Sequence, residues 1–326
     1  MRVLITGASG FLGSHVAEQL VESGHQVRCL VRRSSQVAHL SHPAIELAYG
    51  TVDAADSLPA AMQDVDAVVH CAGVVKARNA DEFDAVNHQG TRNLLEATER
   101  HAPGVRRFVH VSSAAIMGAG AEGRPHRRDT VANPSTEYGR SKLAAEGAAR
   151  AFADRLPITV LRPPAIYGPR DTEMFAFFQM VSFGIALRLA DYKSMSLVYG
   201  PDVARACIDA IDVQVPSGSS FFVTDGRSWT FDQMADAVAD AMGVETWARP
   251  GIPSVVLRAA AHASEAIGRW TNKAMMFNRD KVNELSIEHF AIDIDDTVRE
   301  LGWSPRVEFP EGAKRTAQWY RANGWL

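Results

Sequence analysis

A strand–turn–helix segment near the start of the chain, VLITGASGFLGSHV, most constrains its fold. Gly7, Gly10 and Gly13 recur every third residue between an apolar strand and an amphipathic helix. Glycine permits a tight turn at the first position, close approach of a pyrophosphate at the second and helix–strand packing at the third. The alternative is a tight turn without a ligand. We expect dinucleotide binding, with phosphates facing the backbone of Ser9, Gly10, Phe11 and Leu12.

Short apolar runs alternate with longer helical patterns through the first half of the chain. The predicted strands are RVLITG, QVRCLVR, IELAYG, AVVHCAG, RFVHVSS and ITVLRPP, and DSLPAAMQDV is one of the helical patterns between them. Buried-type strands joined by right-handed helical crossovers predict an α/β fold with a doubly wound parallel sheet of Rossmann type. We expect a nucleotide-binding domain over 1–168, a return to its core near 196–226, and a smaller, discontinuous substrate-binding part within 169–326.

The end of the second predicted strand indicates which nicotinamide cofactor is preferred. An acid at this place accepts a hydrogen bond from the ribose 2′-OH of NAD. This chain has Arg32 and Arg33 instead, and an arginine pair can grip a 2′-phosphate. We therefore expect a preference for NADP(H), with NAD(H) possible; the alternative is a pair of solvated surface arginines.

Two further segments supply hydroxyl, phenol and ammonium groups. RFVHVSS ends a predicted core strand in Ser112 and Ser113, and ligands bind at the carboxyl ends of strands in open sheets. In EYGRSKLAAEGAAR, Tyr138 and Lys142 are four residues apart and share one helix face. Alone, the serines would be cap residues and the tyrosine–lysine pair a solvated surface turn. Together with the glycine loop they predict proton chemistry beside the cofactor.

Composition and charge argue against several other classes of protein. The 326 residues carry a net charge of −4, so no basic excess signals nucleic-acid binding. The eleven histidines and three cysteines make no metal-ligand spacing, and we expect no metal site. Separated cysteines suit free thiols in a reducing compartment, and MRVLITGASG does not resemble a secretory signal. We therefore expect a cytoplasmic protein.

The most apolar helix-like segment is IPSVVLRAAAHASEAIGRW, over 252–270. No run of about 18 apolar residues predicts a transmembrane span. We expect this segment to be a core or lid helix, because its polar face is thin and weakly basic. A membrane-surface helix, and with it peripheral membrane contact, is the less favoured alternative.

In combination these motifs resemble the extended short-chain dehydrogenase/reductase family. TGASGFLG, VVHCAG, VNHQGTRNLLEA, VHVSSAAIMG, YGRSK and LRPPAIYGP follow the family's order and spacing, and the resemblance covers nearly the whole chain. It implies that Tyr138 is the acid/base, and that Lys142 binds the nicotinamide ribose and lowers the pKa of the phenol. It implies that Ser113, or less readily Ser112, holds the substrate oxygen. Further implied cofactor contacts are Thr51, Val52, Cys71, Ala72, Gly73, Asn87, Pro164 and Ile166.

Departures from the family pattern bear on the substrate. Thr51 stands where family members often have an acid that holds adenine, and Met117 stands where they often have an aromatic residue. The segments VRCLVRR and LVYGPDVARA are more similar to the 3β-hydroxysteroid dehydrogenase and dihydroflavonol reductase branch. This implies hydride transfer on a secondary alcohol or ketone of a largely apolar small molecule. Many relatives dimerise through the helices that carry Asn87 and Tyr138, so the resemblance also implies a homodimer.

Two alternatives to this oxidoreductase stay open: a nucleotide-sugar epimerase or dehydratase of the same family, and a non-catalytic NADP-binding scaffold. Sugar-nucleotide members usually place a diphosphate-binding arginine where this chain has Met195, although Lys193 or Arg170 could still bind phosphate. An apolar lining is expected from one set of residues, for which the alternative is core packing of a lid helix. They are Met117, Met174, Phe175, Phe177, Phe178, Met180 and Phe183.

Overall fold

The computed structural model describes residues 1–189, 194–271, 275, 278–285, 287 and 289–326. Its strands are β1 (Arg2–Thr6), β2 (Gln26–Val31), β3 (Ile45–Tyr49), β4 (Ala67–His70), β5 (Arg107–Val111), β6 (Ile158–Arg162), β7 (Ala165–Tyr167), β8 (Arg188–Leu189), β9 (Ser194–Met195), β10 (Leu197–Tyr199), β11 (Ser219–Phe222), β12 (Gly251–Ile252) and β13 (His289–Phe290). Seven of them form one parallel sheet in the order β11-β6-β5-β4-β1-β2-β3. This is the Rossmann-type doubly wound sheet that the sequence predicts.

Ten α-helices accompany these strands. They are α1 (Phe11–Glu22), α2 (Ala80–Phe83), α3 (Gly90–His101), α4 (Glu137–Ala151), α5 (Phe175–Ser182), α6 (Gly200–Asp212), α7 (Phe231–Met242), α8 (Ser254–Thr271), α9 (Arg279–Leu285) and α10 (Phe309–Ala322), counted over the described residues. A π-helical segment, Asp84–Gln89, joins α2 to α3, and a second one spans Thr297–Leu301.

The sheet is covered on both faces because its strands are apolar on both sides. Successive side chains of a strand point to opposite faces. Ile5 packs with Leu20 of α1 and Ala206 of α6 on one face, whereas Leu4 packs with Leu94 of α3 and Phe152 after α4 on the other. The six strands predicted from the sequence correspond to β1 to β6, and β11 returns the chain to the sheet edge beside β6.

The strand order reverses between β1 and β4. The chain runs outward from β1 to β3 and then crosses back to place β4 on the other side of β1. In open α/β sheets, ligands bind at the carboxyl ends of the strands beside such a reversal. The glycine loop follows β1, and the segment that begins at Cys71 follows β4, so both border this crevice.

The C-terminal helices enclose an apolar cluster of their own. Tyr167, Phe178, Phe309 and Tyr320 are fully buried where α5, α7 and α10 pack together. The ring centroids of Tyr167 and Phe309 lie 4.9 Å apart, and those of Phe178 and Tyr320 lie 5.3 Å apart, both edge-on. Edge-on aromatic pairs at such distances add stability beyond their buried area.

Two sequence expectations need correction. DSLPAAMQDV forms two 3-10 turns, Ala55–Ser57 and Pro59–Met62, because Pro59 lacks the N–H that a continuous helix would use. Of the expected apolar lining, Phe177 and Phe178 are buried in the C-terminal cluster. Met117 is buried in a separate apolar cluster with Ile116 and Phe222, and Phe183 faces solvent. These four side chains therefore do not line a cleft, because Phe177 packs on Phe231 of α7 and Phe178 packs on Tyr320 of α10.

Candidate active site

The glycine loop forms an open cradle at the end of β1. Gly7 has a φ of +76°, a left-handed conformation that favours glycine. A Cβ at Gly7 would lie 2.7 Å from the Ala72 nitrogen, and a Cβ at Gly13 would lie 2.3 Å from the Gly7 oxygen. Gly10 is exposed, and no side chain among the described residues caps α1 there. The first-turn N–H groups are thus available to an anion, which fits the pyrophosphate of a dinucleotide.

The half-buried side chains of Ser9, Phe11 and Leu12 border this cradle. His39, which the sequence analysis did not select, lies beside it because its Nε2 is 3.2 Å from the Ala8 oxygen. Only the tertiary fold reveals this contact, since His39 belongs to the connection between β2 and β3.

The arginine pair stands at the end of β2, with both side chains exposed. The Arg33 guanidinium lies 4.9 Å from the centroid of the Tyr49 ring, in cation–π geometry. Among the described residues, Arg32 has no ion-pair or side-chain hydrogen-bond partner. The same holds for Arg33, whose side chain contacts the Tyr49 ring, so both guanidinium groups keep their charge and Arg32 is also free of ring contacts within the described part of the chain.

The connection after β3 carries Thr51 and Val52. The Thr51 hydroxyl donates to the Asp53 carboxylate, and the Thr51 N–H donates to Ser57 Oγ at 3.0 Å. Asp53, which the sequence analysis did not select, thus places a carboxylate two residues after Thr51, the position where family members often have an acid. The Val52 side chain is 4% exposed and packs on Gly90, and its contact with the cofactor stays a prediction.

Tyr138 and Lys142 lie one turn apart on helix α4, and the Tyr138 ring centroid is 6.1 Å from that of Phe83. Thr136 caps the helix by accepting the Gly139 N–H at 3.0 Å. Lys142 Nζ donates to the Val111 carbonyl at the end of β5 (2.7 Å), and a Cβ at Gly73 would lie 3.8 Å from the same nitrogen. The ammonium group therefore lies between the ends of β4 and β5, close to the start of the serine segment.

Lys142 is 5% exposed, and this burial lowers the pKa of its ammonium group to about 8. Glu146, one turn further along α4, acts in the opposite direction and raises that pKa. Glu146 is itself fully buried and accepts two hydrogen bonds from Arg162, at 2.9 and 2.7 Å. A carboxylate held in this way favours the charged form of the lysine.

Ser113 lies at the end of β5, where its Oγ accepts the Ala115 N–H at 3.2 Å. A hydroxyl that accepts one bond can still donate its proton, so Ser113 can bind a substrate oxygen. The neighbouring Ser112 Oγ is buried without a hydrogen-bond partner among the described residues. The Ala114 N–H donates to the Pro163 carbonyl at 2.8 Å, which joins this turn to the end of β6.

Asn87 lies in the π-helical segment and makes hydrogen bonds within the protein, while its contact with the cofactor stays a prediction. Its Oδ1 accepts the Val74 N–H at 2.8 Å, while its Nδ2 donates to the Val74 oxygen and to Ser141 Oγ at 3.0 and 2.9 Å. With 1% exposure, this amide has its bonds inside the protein. Asn87 therefore joins the loop after β4 to the tyrosine helix, because Ser141 Oγ donates in turn to the Tyr138 carbonyl.

A buried histidine that sequence reasoning missed supports the same segment. The neighbouring hydroxyl groups determine which nitrogen of the His70 ring carries the proton. Thr91 Oγ1 donates to the Asn87 carbonyl at 2.6 Å, so this oxygen accepts the Nε2–H of His70 at 2.9 Å. The other nitrogen, Nδ1, then accepts from Thr6 Oγ1 at 2.7 Å. Burial lowers the pKa of His70 to about 3, with Lys142 acting in the same direction, so the ring stays neutral.

The remaining predicted contacts lie at the ends of β4 and β7. The N–H of Ala72 donates to Thr6 Oγ1 at 3.1 Å, and Gly73 is exposed. The neighbouring Cys71 thiol and burial raise the pKa of the Cys207 thiol well above its ordinary value. Pro164 and Ile166 are half-buried beside the strand pair of β7 and β10.

Asp280 of α9 is a second residue that sequence reasoning missed. Its Oδ2 accepts the N–H groups of Glu137 and Tyr138, at 2.8 and 3.4 Å, and so holds the first turn of α4. Burial raises the pKa of this carboxyl. No sequence pattern relates it to the tyrosine 142 residues earlier. The C-terminal part thus contacts the Tyr138 helix directly.

Three positions bear on phosphate binding in the C-terminal part, namely Met195, Arg170 and Lys193. The Met195 side chain packs against the C-terminal apolar cluster, and its backbone pairs with Trp229. Arg170 is already paired with Glu18: its Nη2 donates to one carboxylate oxygen at 2.6 Å and its Nη1 donates to the other at 2.5 Å. Lys193 lies outside the described residues.

Within the described residues, no group of three or more His, Cys, Asp or Glu side chains is arranged to hold a metal ion. None of the helices in the described part of the chain is long and apolar enough to cross a bilayer.

Comparisons with known proteins show the family of the chain. A family model described as the NAD dependent epimerase/dehydratase family matches residues 3–221. Ceramide reductase of Caulobacter vibrioides is 31% identical over 330 residues, which cover 99% of this chain and 96% of that protein. Sterol demethylase protein B of Methylococcus capsulatus is 30% identical over 335 residues and all of both chains.

The crystal structure of UDP-glucose 4-epimerase with UDP-glucose, from Thermotoga maritima, shares the fold: the TM-score is 0.82 at 23% identity over 99% of each chain. The family model spans more than half of this chain, and the relatives align along nearly all of it. The chain therefore belongs to the NAD-dependent epimerase/dehydratase family, as an enzyme of the extended short-chain dehydrogenase/reductase type.

Proposed function

We propose that the protein is an NADP(H)-dependent oxidoreductase that interconverts a secondary alcohol and a ketone on a largely apolar small molecule. The proposed substrate class rests on the apolar environment of Met195. Sugar-nucleotide members of the family usually have an arginine at this position. Arg170 does not substitute for that arginine, because it is paired with Glu18. A buried diphosphate without a bidentate cationic partner is poorly stabilised.

In the proposed mechanism, the bound nicotinamide cofactor supplies or takes up the hydride. Tyr138 gives its phenolic proton to the carbonyl oxygen during reduction and takes it back during oxidation. Lys142, held by the Val111 carbonyl, places positive charge near the ribose and the phenol. The Ser113 hydroxyl donates to the substrate oxygen and fixes it against Tyr138.

The cofactor assignment rests on the strand ends. The open glycine loop accommodates the pyrophosphate, and Arg32 offers an unpaired guanidinium at the end of β2. A charge-assisted contact of this kind favours the 2′-phosphate of NADP(H) over the hydroxyl of NAD(H). Thr51, beside Asp53, would lie along the adenosine.

The three cysteines are free, which suits the reducing cytoplasm that we propose as its compartment. We also propose a homodimer through the outer faces of α3 and α4, by similarity to relatives that pair these helices.

The leading alternative is a nucleotide-sugar epimerase, as the likeness to the Thermotoga maritima fold illustrates. A thermal-shift comparison in the presence of NADP separates the two, because a ligand that binds the native state raises Tm by mass action. We expect sterols or other apolar ketones to raise Tm and UDP- or dTDP-sugars to leave it unchanged. A rise in Tm with micromolar sugar nucleotides, and none with apolar ketones, would refute the proposed substrate class.

A further inference from the structure

Helix α8 turns its apolar face toward solvent. Leu257, Ala261 and Gly268 face the protein body, whereas the opposite side exposes Val255, Val256, Ile267 and Trp270 by 69, 53, 53 and 89%. Four exposed alanines lie between them on the helix surface. At 3.6 residues per turn, these eight apolar positions fall within one arc of about 140°. We call this arc the outward face of α8.

This orientation is the reverse of the ordinary one. A surface helix of a globular protein normally packs its apolar stripe inward and leaves charged residues outside. A contiguous exposed apolar patch marks a surface that another molecule covers. The exposed tryptophan near the end of α8 is typical of helices that lie in a membrane interface.

The charges beside the outward face identify the kind of surface that fits it. Arg258 and His262 are exposed along one border. The only acid of α8, Glu265, lies on that border and is neutralised by Arg279, whose Nε donates to Glu265 Oε2 at 2.8 Å. The described side chains thus give an apolar arc bordered by the exposed and unpaired guanidinium of Arg258, which complements anionic lipid headgroups above an acyl layer.

The same ion pair connects the outward face to the candidate active site. Glu265 binds Arg279 of α9, and the next residue, Asp280, holds the first turn of the Tyr138 helix. An element seated on a lipid surface would therefore adjoin the part of the protein that contacts the catalytic helix. This geometry suits a substrate that partitions into lipid.

We propose that the outward face of α8 docks the protein on an anionic lipid surface and that an apolar alcohol or ketone reaches the Tyr138 crevice from there. The helix, about 27 Å long at 1.5 Å per residue, lies along the surface because its other side packs on the protein. The docking stands on the exposed arc and its charges; only the delivery of substrate rests on the proposed function.

The test is sedimentation of the purified protein with vesicles of phosphatidylcholine and phosphatidylglycerol, compared with vesicles of phosphatidylcholine alone. We expect binding to the anionic vesicles that weakens as salt is raised. Trp270→Asp and Ile267→Asp should each lower vesicle affinity about tenfold or more, because each removes a large apolar side chain from the inserted face. Arg258→Ala should reduce binding to anionic vesicles only.

Val131→Asp is the matched control, since Val131 is 85% exposed on the connection between β5 and α4. This variant should bind vesicles as the wild type does. Wild-type protein that stays in the supernatant, or Trp270→Asp protein that binds equally well, overturns the docking. A dimer that dissociates in the Ile267→Asp variant, with no vesicle binding by the wild type, also overturns it and assigns the face to a second copy of the chain.

Turnover of NADPH with a water-soluble ketone separates this proposal from the proposed function. The α8 variants should keep that turnover and lose it selectively for a ketone supplied in vesicles. If wild-type protein binds vesicles through α8 but reduces neither ketone, the docking stands and the proposed function fails. If the variants process the vesicle-bound ketone as fast as the wild type, delivery through α8 is refuted.

Discussion

The crevice at the ends of β4 and β5 and the outward face of α8 differ in how far their side chains are buried and bonded within the protein. In the crevice, Lys142, Asn87 and Glu146 are each at most 5% exposed, and each has partners inside the protein. On α8, Trp270 is 89% exposed and the apolar arc has no cover within the described residues. The polar groups of the crevice are therefore bonded within the described chain, whereas the outward face of α8 is left exposed, as the proposed docking requires.

The largest expected effect lies in the crevice. Tyr138→Phe keeps the ring and removes the proton donor, so turnover should fall by about 10²- to 10⁴-fold while cofactor affinity changes little. Steady-state kinetics and cofactor titration measure the two quantities. Tyr49→Phe, at an exposed tyrosine of β3, is the control. Near-normal turnover of the Tyr138 variant would contradict a catalytic role for the crevice.

Glu146→Gln tests whether buried charge completes the crevice. It leaves the Arg162 guanidinium, which is 4% exposed, without its carboxylate, and should lower the free energy of unfolding by about 3–5 kcal/mol. Glu99→Gln is the matched control, because the exposed Glu99–Arg155 pair should contribute about 0–1 kcal/mol. Urea unfolding measures both. Equal losses in the two variants would contradict the distinction between buried and exposed pairs.

The lysine also predicts a pH dependence. Lys142 loses its charge above a pKa of about 8, so kcat/KM should decline above that pH, and Glu146→Gln should move the decline to lower pH. For stability the sign is opposite. Between about pH 8 and the ordinary lysine value of 10.5, the unfolded chain holds a proton that the folded chain has lost, so this group adds stability as pH rises. An unmoved alkaline limb in the variant would refute the coupling.

Arg32→Ala should affect cofactor choice alone. The loss of one charged contact to the 2′-phosphate should weaken NADP(H) binding by about 10- to 150-fold. Binding of NAD(H), which lacks this phosphate, should change little and serves as the internal control. Fluorescence titration of both cofactors against both proteins is the measurement, and an equal loss for the two would show that Arg32 does not discriminate.

The smallest expected effect tests the contact between the two regions. Asp280→Ala removes the acceptor of the Glu137 and Tyr138 N–H groups, which we expect to lower kcat up to about tenfold by loosening the first turn of α4. Asp280→Asn keeps an acceptor oxygen and should restore most of the activity. A change confined to KM, or no rescue by asparagine, would argue against a positioning role.

Local spacing made part of this site predictable. Gly7, Gly13, Tyr138 and Lys142 owe their geometry to a turn and to one helix face, so a short segment encodes each of them. Asp280 and His70 act across the fold, and no local pattern relates them to the tyrosine helix.

The orientation of α8 could not be predicted for a different reason. Its sequence shows an apolar stripe, and such a stripe is ordinarily expected to pack inward. Only the positions of Leu257 and Ala261 against the protein body reveal that the stripe faces solvent. Likewise, the aromatic run of α5 is equally suited to a cleft or a core, and its packing with Tyr320 decides for the core.

The most direct test of the account is NADPH oxidation by wild-type and Tyr138→Phe protein, with an apolar ketone as substrate and UDP-glucose as the competing candidate. We predict that the wild type oxidises NADPH stoichiometrically with reduction of the ketone, and that the variant does not. Interconversion of UDP-glucose and UDP-galactose without net NADPH oxidation, together with no reaction of the ketone, would contradict the account.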